Sequence, residues 1–355
     1  RPVREEKAFM RIGRHTIGPG HPCFIVAEMS ANHGQNFDRA MAILLAAKEA
    51  GADAVKLQTY TPDTMTLDCD ASYFRIQDHP LWKDRTLYQL YGEAFTPWEW
   101  HARLKEEADR IGLTLFSTPF DETAVDFLES LGMELYKIAS FELVDIPLLE
   151  RVAKTGKPVI LSTGMATAEE IELSVKTLRS HGAGEIALLK CVSAYPADPA
   201  QMNLRTIPDM EQRFDVIAGL SDHSMGHAVA LAAVVLGAKI IEKHFTVSRA
   251  DASPDAAFSM EPAEFRQLVD AIREVEKALG KINYNRTEQE EKSIQFRRSI
   301  FAAKDIAAGD PFTTENIRVI RPGHGMAPRH YRALLGRKAK KAIRRGTPIL
   351  QDCIE

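Results

Sequence analysis

Two histidines, His223 and His244, each stand at the end of a short apolar run, in Gly219-Leu-Ser-Asp-His223 and Ile241-Glu-Lys-His-Phe245. A lone histidine is more often structural than a ligand, but imidazoles closing neighbouring parallel strands can meet on one divalent cation. Asp222 and Glu242 stand beside them. No third histidine or cysteine falls in register, so the pair suits an open octahedral ion such as Mn2+ or Mg2+ better than a closed zinc site. Water and substrate oxygens would complete the shell, and the ion would act as a Lewis acid on a substrate carbonyl.

Other apolar runs end in cations and hydroxyls. Lys56 and Lys137 bring positive charge, and Thr118, Ser140, Ser162 and Ser221 bring donors, a set that suits a phosphate together with a carboxylate. A barrel lysine can instead form a Schiff base with a carbonyl substrate; two lysines beside a metal pair favour electrostatic anion binding. Glu28, Gln58, Ser117, Glu142, Thr163, Lys190, Ser193 and Tyr195 also fall at such ends. Any one of them reads equally well as a turn residue or a satisfied polar group. Their convergence is the signal.

The elements that would position them repeat. After an opening hairpin over 10–22, apolar runs at 23–29, 54–59, 114–117, 135–139, 158–162, 186–191, 216–220 and 240–244 predict strands. Amphipathic stretches at 37–50, 97–111, 122–131, 146–155, 168–181, 204–214, 227–236 and 262–279 predict helices, with Gly51, Gly112, Gly132, Gly156, Gly182, Gly237 and Gly280 at their C-termini. Eight strand and helix pairs with near-continuous apolar strands predict an α/β fold, a closed (β/α)8 TIM barrel whose strand ends share one mouth. No glycine-rich dinucleotide fingerprint follows the first strand, which argues against an open doubly wound sheet. The connection over 60–95 is long and aromatic, as loops covering a site are. Past Gly280 the chain predicts a barrel domain over 1–281, a polar linker over 282–297 and a small second domain over 298–355.

Composition bounds the function. With 355 residues and 45% hydrophobic content the chain can bury a barrel core and a small module. Its longest uncharged apolar stretch, 228–238, is far short of the roughly 20 residues a bilayer span needs. The start carries no apolar signal core and, opening on Arg1, is given no functional weight. Cys23, Cys69, Cys191 and Cys353 lack CxxC pairing and read as buried reduced thiols. A cytoplasmic protein with no membrane partner is expected. Net charge is −4, yet residues 298–355 hold 12 Lys and Arg against 5 Asp and Glu, leaving 33 against 44 before them. Without interleaved aromatics that tail does not read as a nucleic-acid binder; docking on an acidic surface or an anionic ligand fits better.

Several runs are long enough to compare with known proteins. Ile25-Val-Ala-Glu-Met-Ser-Ala-Asn-His33, Ala54-Val-Lys-Leu-Gln-Thr59, Tyr136-Lys-Ile-Ala-Ser-Phe-Glu142, Leu161-Ser-Thr-Gly-Met165 and the two histidine motifs resemble the sialic acid synthase family. Arg321-Pro-Gly-His-Gly325 and Arg345-Gly-Thr347 resemble its C-terminal antifreeze-like (SAF, β-clip) domain. Met29-Ser-Ala-Asn-His33, Thr59-Tyr-Thr-Pro-Asp-Thr64 and Phe95-Thr-Pro-Trp-Glu-Trp100 look like the pseudaminic acid branch, with the neuraminic and legionaminic branches as the alternative. The resemblance implies condensation of phosphoenolpyruvate with an acetamido sugar to a nine-carbon sugar acid. It implies Lys56, Thr118, Lys137, Ser140, Ser162 and Ser221 on phosphoenolpyruvate, and His223 and His244 on the metal, Mn2+ first with Mg2+ or Co2+ as alternatives. Gln58, Glu142, Tyr195 and Asp255 would contact the sugar, Glu28 would sit at the reacting centre, and Tyr195 and Asp255 would share the catalytic work. Arg321 would reach a partner's barrel in a domain-swapped homodimer. Two departures stand out: Ser253 where the family commonly has glycine, and Ser193 where the neuraminic branch has asparagine.

Overall fold

A strand buried on both faces sends alternate residues to opposite sides. In this chain one set is apolar until its last members, and the fold puts those members at one end. The computed structural model describes residues 9–76, 85–251 and 253–355, which form two compact units, 1–280 and 281–355. The first opens with an antiparallel hairpin, β1 (Met10–Ile12) and β2 (His15–Ile17). Then follow β3 (Phe24–Glu28), α1 (Phe37–Glu49), β4 (Ala54–Thr59), α2 (Pro62–Met65), α3 (Leu87–Ala94), α4 (His101–Arg110) and β5 (Thr114–Pro119). The rest alternates: α5 (Glu122–Ser130), β6 (Tyr136–Ile138), α6 (Ile146–Ala153), β7 (Val159–Ser162), α7 (Ala168–Ser180), β8 (Ile186–Cys191), α8 (Thr206–Phe214), β9 (Ile217–Asp222), α9 (Ala228–Val235), β10 (Ile240–His244) and α10 (Pro262–Leu279). Strands β3 to β10 close a parallel barrel, β10 pairing β3 with His244 beside Glu28 and Ile240 beside Phe24.

Two apolar layers result. Outward residues such as Ile25, Leu57, Ile138, Leu161, Leu188 and Ile241 pack under the helices. Inward ones, Phe24, Val26, Ala54, Phe116, Leu135, Ile160, Ala187, Leu189, Ile217 and Ile240, fill the interior together with Met10, Ile12 and Ile17 of the hairpin. The hairpin therefore plugs the N-terminal end. Each inward series ends in polar residues: Glu28 on β3, Lys56 and Gln58 on β4, Thr118 on β5, Lys137 on β6, Ser162 on β7, Ser221 on β9, Glu242 and His244 on β10. The predicted C-terminal glycines Gly51, Gly112, Gly132, Gly156, Gly182, Gly237 and Gly280 all have positive φ, between 47° and 107°, which glycine adopts at little steric cost where each helix ends; all but Gly280 lead the chain into the next barrel strand.

The outward set contains one buried ion pair. Lys243 Nζ lies 2.9 Å from Asp222 Oδ2 and donates to the Ser224 carbonyl at 2.6 Å, while Asp222 Oδ1 accepts from the Ser224 amide and hydroxyl. Both charged residues are 2% exposed or less. Asp222→Ala would leave an uncompensated ammonium between barrel and helices, so it is expected to lower unfolding free energy by about 3–5 kcal/mol in urea titration.

The sequence misses helices where it reads loop. In the long connection, α2 and α3 are each opened by a capping box, from Thr61 and Thr86; residues 77–84 of that connection lie outside the described residues. In the second unit α11 (Glu288–Ser293) stands where polar linker is expected. It is followed by the antiparallel pair β11 (Ser299–Ala302) and β12 (Ile317–Ile320) and by α12 (Tyr331–Leu334), around a core that includes Ile300, Phe312, Ile317, Leu334 and Ile349. Among the described residues no helix is long and apolar enough to cross a membrane.

Candidate active site

The polar strand ends meet in a cavity of about 500 Å³ at the C-terminal mouth of the barrel. Its floor is a charge cluster set by register. Lys56 is paired in register with Glu28, and Ser221 with Glu242. Lys56 Nζ donates to Glu242 Oε1 at 2.9 Å and lies 3.1 Å from Glu28 Oε2. Ser221 Oγ donates to the same Glu242 oxygen at 3.1 Å. Lys137 Nζ donates to Ser162 Oγ at 2.6 Å and to the Ile138 carbonyl at 3.1 Å, with Glu242 at 4.0 Å. The two lysines therefore differ. Burial acts against both ammoniums, but two carboxylates in contact hold Lys56 up at about 12, whereas Lys137, with no carboxylate nearer than 4.0 Å, falls to about 8. Burial works against Glu242's charge too, yet Lys137 and Lys56 outweigh it and keep that carboxyl below the usual range. Burial prevails at Glu28, which sits above the ordinary carboxylate range despite Lys56.

Above the floor two groups of side chains face each other. On one side Gln58 Nε2 donates to Glu28 Oε1 at 3.1 Å and to Ser30 Oγ at 3.0 Å, and Ser30 Oγ hydrogen-bonds Asp255 Oδ2. On the other the rings of His223 and His244 are 5.3 Å apart, with Tyr195 4.3 Å from His223 and Phe258 4.9 Å from His244. Tyr195 follows β8 and is half exposed, covering the imidazoles with its ring. Ser140 Oγ accepts from the Gly164 amide at 3.1 Å, and a Cβ at Gly164 would fall 2.2 Å from Ser193 Oγ and 2.7 Å from Ser140 Oγ. That crowding requires the glycine of Leu161-Ser-Thr-Gly-Met165.

Four buried polar atoms around the cavity have no hydrogen-bond partner among the described residues: Glu28 Oε2, which faces the Lys56 ammonium as an ion pair only, Thr118 Oγ1, Glu142 Oε2 and His244 Nδ1. Such groups are costly to bury unpaired and point to a ligand that completes them. His223 Nδ1 is 3.0 Å from the Val192 carbonyl, so this nitrogen carries the proton and Nε2 keeps its lone pair. Burial and nearby cations push His244 well below the imidazole range, leaving it neutral. An imidazole with an orphaned nitrogen, facing a second whose Nδ1–H is fixed on a backbone carbonyl, fits a divalent ion. Among the described residues no cluster of three or more His, Cys, Asp and Glu could hold one, so the remaining positions fall to water and substrate.

Of the residues singled out in the sequence, Glu28, Lys56, Gln58, Thr118, Lys137, Ser140, Ser162, Tyr195, Ser221, His223, His244 and Asp255 line the cavity together. Glu142 lies one residue beyond its Phe141 edge, half-buried, its carboxyl raised to about 7 by burial. Arg321 belongs to the second unit, where it is exposed at the end of β12. Some strand-end readings are corrected. Asp222 faces outward to Lys243 and does not border the histidines; Glu242 spends its carboxylate on Lys56 and Ser221. Lys190 and Ser117 lie on the outward face, and inward parity brings Cys191 instead. Cys191 is therefore more than filler. Ser253 takes no left-handed φ and donates to Asn32 Oδ1 at 2.7 Å, so the turn before Asp255 does not need glycine. The connection over 60–95, expected to cover the site, does so: its Tyr60, Leu90, Tyr91 and Ala94 line the cavity beside Phe120. Sequence reasoning did not single out Ser30 or Phe120, which also line it.

Comparison with known proteins follows this geometry. The NeuB family matches residues 43–284, and the SAF domain matches 297–355. The pseudaminic acid synthase of Helicobacter pylori is 45% identical over 338 residues, covering 94% of this chain and 98% of that protein. That of Campylobacter jejuni is 43% identical over 328 residues, covering 92% and 95%. Among solved structures, the N-acetylneuraminic acid synthetase of Leptospira borgpetersenii, in complex with citrate, superposes with a TM-score of 0.72 at 33% identity, over 81% of this chain and 95% of that one.

Proposed function

The chain belongs to the NeuB family, and from that membership we propose that it is a pseudaminic acid synthase, joining phosphoenolpyruvate to 2,4-diacetamido-2,4,6-trideoxy-altrose with water to give pseudaminic acid and phosphate. The observation that carries the reading is the sharing of one cavity by a buried lysine and hydroxyl floor, an imidazole pair with one orphaned nitrogen and a wall of acceptor oxygens. These suit an anion, a carbonyl oxygen and a polyhydroxylated, amide-bearing sugar in turn. The apolar side chains Leu90, Ala94 and Phe120 suit a sugar with a methyl group in place of a hydroxymethyl. The two relatives of that name exceed 40% identity, above the 33% to the neuraminic enzyme.

Lys56 and Lys137, with Thr118, Ser140, Ser162 and Ser221, would hold the phosphate and carboxylate so that C3 of phosphoenolpyruvate faces the open-chain aldehyde. A bond forms between C3 and the aldehyde carbon, positive charge develops at C2, water adds there, and the C2–O bond to phosphate breaks. Glu28, closest to the floor, would stabilise the C2 cation or guide the water. His223 and His244 would hold a divalent ion, Mn2+ in our reading, which supplies Lewis acidity at the aldehyde when bound. Holding two reactants in register can contribute roughly 7–11 kcal/mol. Tyr195 shields the imidazoles, and Gln58, Glu142 and Asp255 offer acceptors to the sugar. A homodimer and a cytoplasmic setting complete the reading; all four cysteines are free thiols. Light scattering of the full chain tests the dimer.

Phosphate release with Mn2+ tests the function, offering the altrose derivative and N-acetylmannosamine in parallel. Turnover of the first is expected; turnover of N-acetylmannosamine alone would move the enzyme to the neuraminic branch. A pH dependence follows from Lys137. Its ammonium binds anions only while protonated, and at about 8 it loses its proton well before an ordinary lysine. Lys56, Glu242, Glu28 and Cys191 surround it, and of these Lys56 holds its proton far higher. The KM for phosphoenolpyruvate is therefore expected to rise above pH 8, by roughly tenfold per unit until the bound-state pKa is passed. A flat KM to pH 9.5 would remove Lys137 from anion binding. The lowered lysine also keeps the Schiff-base alternative testable: borohydride with the sugar is expected to add no mass.

A further inference from the structure

Ser30 is strained, buried and inside the cavity. Its φ of 46° lies in the left-handed region, which an L-residue with a Cβ adopts at a cost, and it is 4% exposed. Strain at a site residue is retained when something there depends on it. Here the dependence is a chain of hydrogen bonds. A carboxylate can only accept, so the amide nitrogen of Gln58 faces Glu28; its second N–H reaches Ser30 Oγ. With that lone pair used, Ser30 gives its one proton to Asp255 Oδ2, across 225 residues of sequence. Both donors of Gln58 are thereby consumed and its amide cannot turn over. Gln58 Oε1 and Asp255 Oδ1, which have no partner among the described residues, are the two acceptors this network leaves free at the cavity.

The loop carrying Asp255 does not need Ser30 to stay closed. Asn32 Nδ2 donates to the Phe245 carbonyl at 3.0 Å and to Ser259 Oγ at 2.8 Å, Asn32 Oδ1 accepts from Ser253, and Ser259 Oγ donates to the Asp255 carbonyl at 2.6 Å. The backbone is pinned on both sides of Asp255, and the Ser30 hydroxyl is left to orient side chains.

We propose that Ser30 is a positioning residue for the acceptor sugar, its hydroxyl locking Gln58 and Asp255 so that two acceptor oxygens receive N–H and O–H donors of the acetamido sugar. The inference rests on the synthase reading and adds to it a determinant of sugar binding. Phosphoenolpyruvate, on the lysine floor, meets this network only through Glu28, whose ion pair with Lys56 does not involve Ser30.

The test compares Ser30→Ala and Ser30→Gly with the wild type in the full-length, Mn2+-loaded protein. Both variants lose the hydroxyl, and kcat/KM for the sugar is expected to fall about tenfold or more in each, as for a lost positioning bond. KM for phosphoenolpyruvate is expected to stay within about twofold, since Lys56 and Lys137 keep their own partners when the Ser30 hydroxyl is lost. The two variants part in stability: glycine releases the left-handed strain that alanine keeps, so Ser30→Gly should melt about 2–4 °C above Ser30→Ala. Sugar kcat/KM within about twofold of wild type in both variants would overturn the proposal, as would equal losses for sugar and phosphoenolpyruvate, the mark of a merely structural role. A wild type that turns over neither sugar overturns the functional reading and this inference together; an active wild type with indifferent variants overturns this one alone.

Discussion

Glu28→Gln is expected to lower kcat for phosphate release by about 10²–10³-fold while leaving the fold intact, the loss typical of removing one charged group from a developing cation or a proton transfer. The geometry says why the amide cannot substitute. Glu28 Oε2 lies 3.1 Å from the Lys56 ammonium and Oε1 accepts from Gln58 Nε2, so one oxygen is engaged by an ion pair and the other by a hydrogen bond. An amide has one acceptor: with its oxygen towards Lys56, its NH2 meets the NH2 of Gln58, and with the oxygen towards Gln58 it points N–H groups at an ammonium. Either way the neighbour must turn. Stability should move little, or rise, because burial already works against the charge of Glu28 and lifts it above the ordinary carboxylate range. The sign for activity follows. A carboxyl raised by burial is ionised only as pH climbs, so if the anion stabilises the C2 cation, wild-type kcat has an acid limb that Glu28→Gln lacks. A variant with full kcat and an unchanged acid limb would take Glu28 out of the reaction.

How much of this site could be read from sequence turns on parity. Within a strand the inward set is every second residue, so once Lys56 or Ser221 is placed inward the apolar members Ala54 and Ile217 follow, and the barrel end is legible. The errors are errors of parity. Asp222 and Lys190 are each one position from an inward residue, Ser221 and Cys191, and a strand end in sequence does not say which face its last residue takes. The connection over 60–95 is legible as a cover by its length and aromatics, but its helix is not: the eight residues of α3 are bracketed by loop, and only Thr86 with Gln89 marks the start. Ser30 was beyond reach. Gln58 comes to it through the pairing of β4 with β3 and Asp255 through closure of β10 on β3, and neither its identity nor its spacing carries those contacts. The twofold split of the chain shows the same limit, since Thr287 with Glu290 signals α11 inside a stretch whose composition reads as linker.

His244→Ala is expected to abolish saturable Mn2+ binding in calorimetry and to lower kcat by about 10³-fold or more, the several kcal/mol a Lewis acid contributes at a carbonyl. His244 ends β10 with its ring edge-on to Phe258 and its Nδ1 unpaired in a buried setting, so the cost of that unsatisfied atom is recovered only when something coordinates it. Asp255 Oδ2 stands 4.0 Å from the same nitrogen, too far for a hydrogen bond and already engaged by Ser30. His223→Ala should give the same loss of binding, but through a different route, since the Val192 carbonyl that fixes its tautomer would then lose its donor as well. With only two protein ligands the ion should bind weakly alone and more tightly once substrate oxygens join the shell. Thermodynamic reciprocity then requires that Mn2+ tighten the binding of that substrate by the same factor. The binding experiment is therefore run with and without the sugar: a Kd that falls in its presence, in the wild type and not in either variant, assigns the ion to the histidine pair. A chelator-treated enzyme with undiminished turnover, or variants that bind Mn2+ as the wild type does, would place the ion elsewhere and leave the orphaned imidazole to a hydroxyl of the sugar.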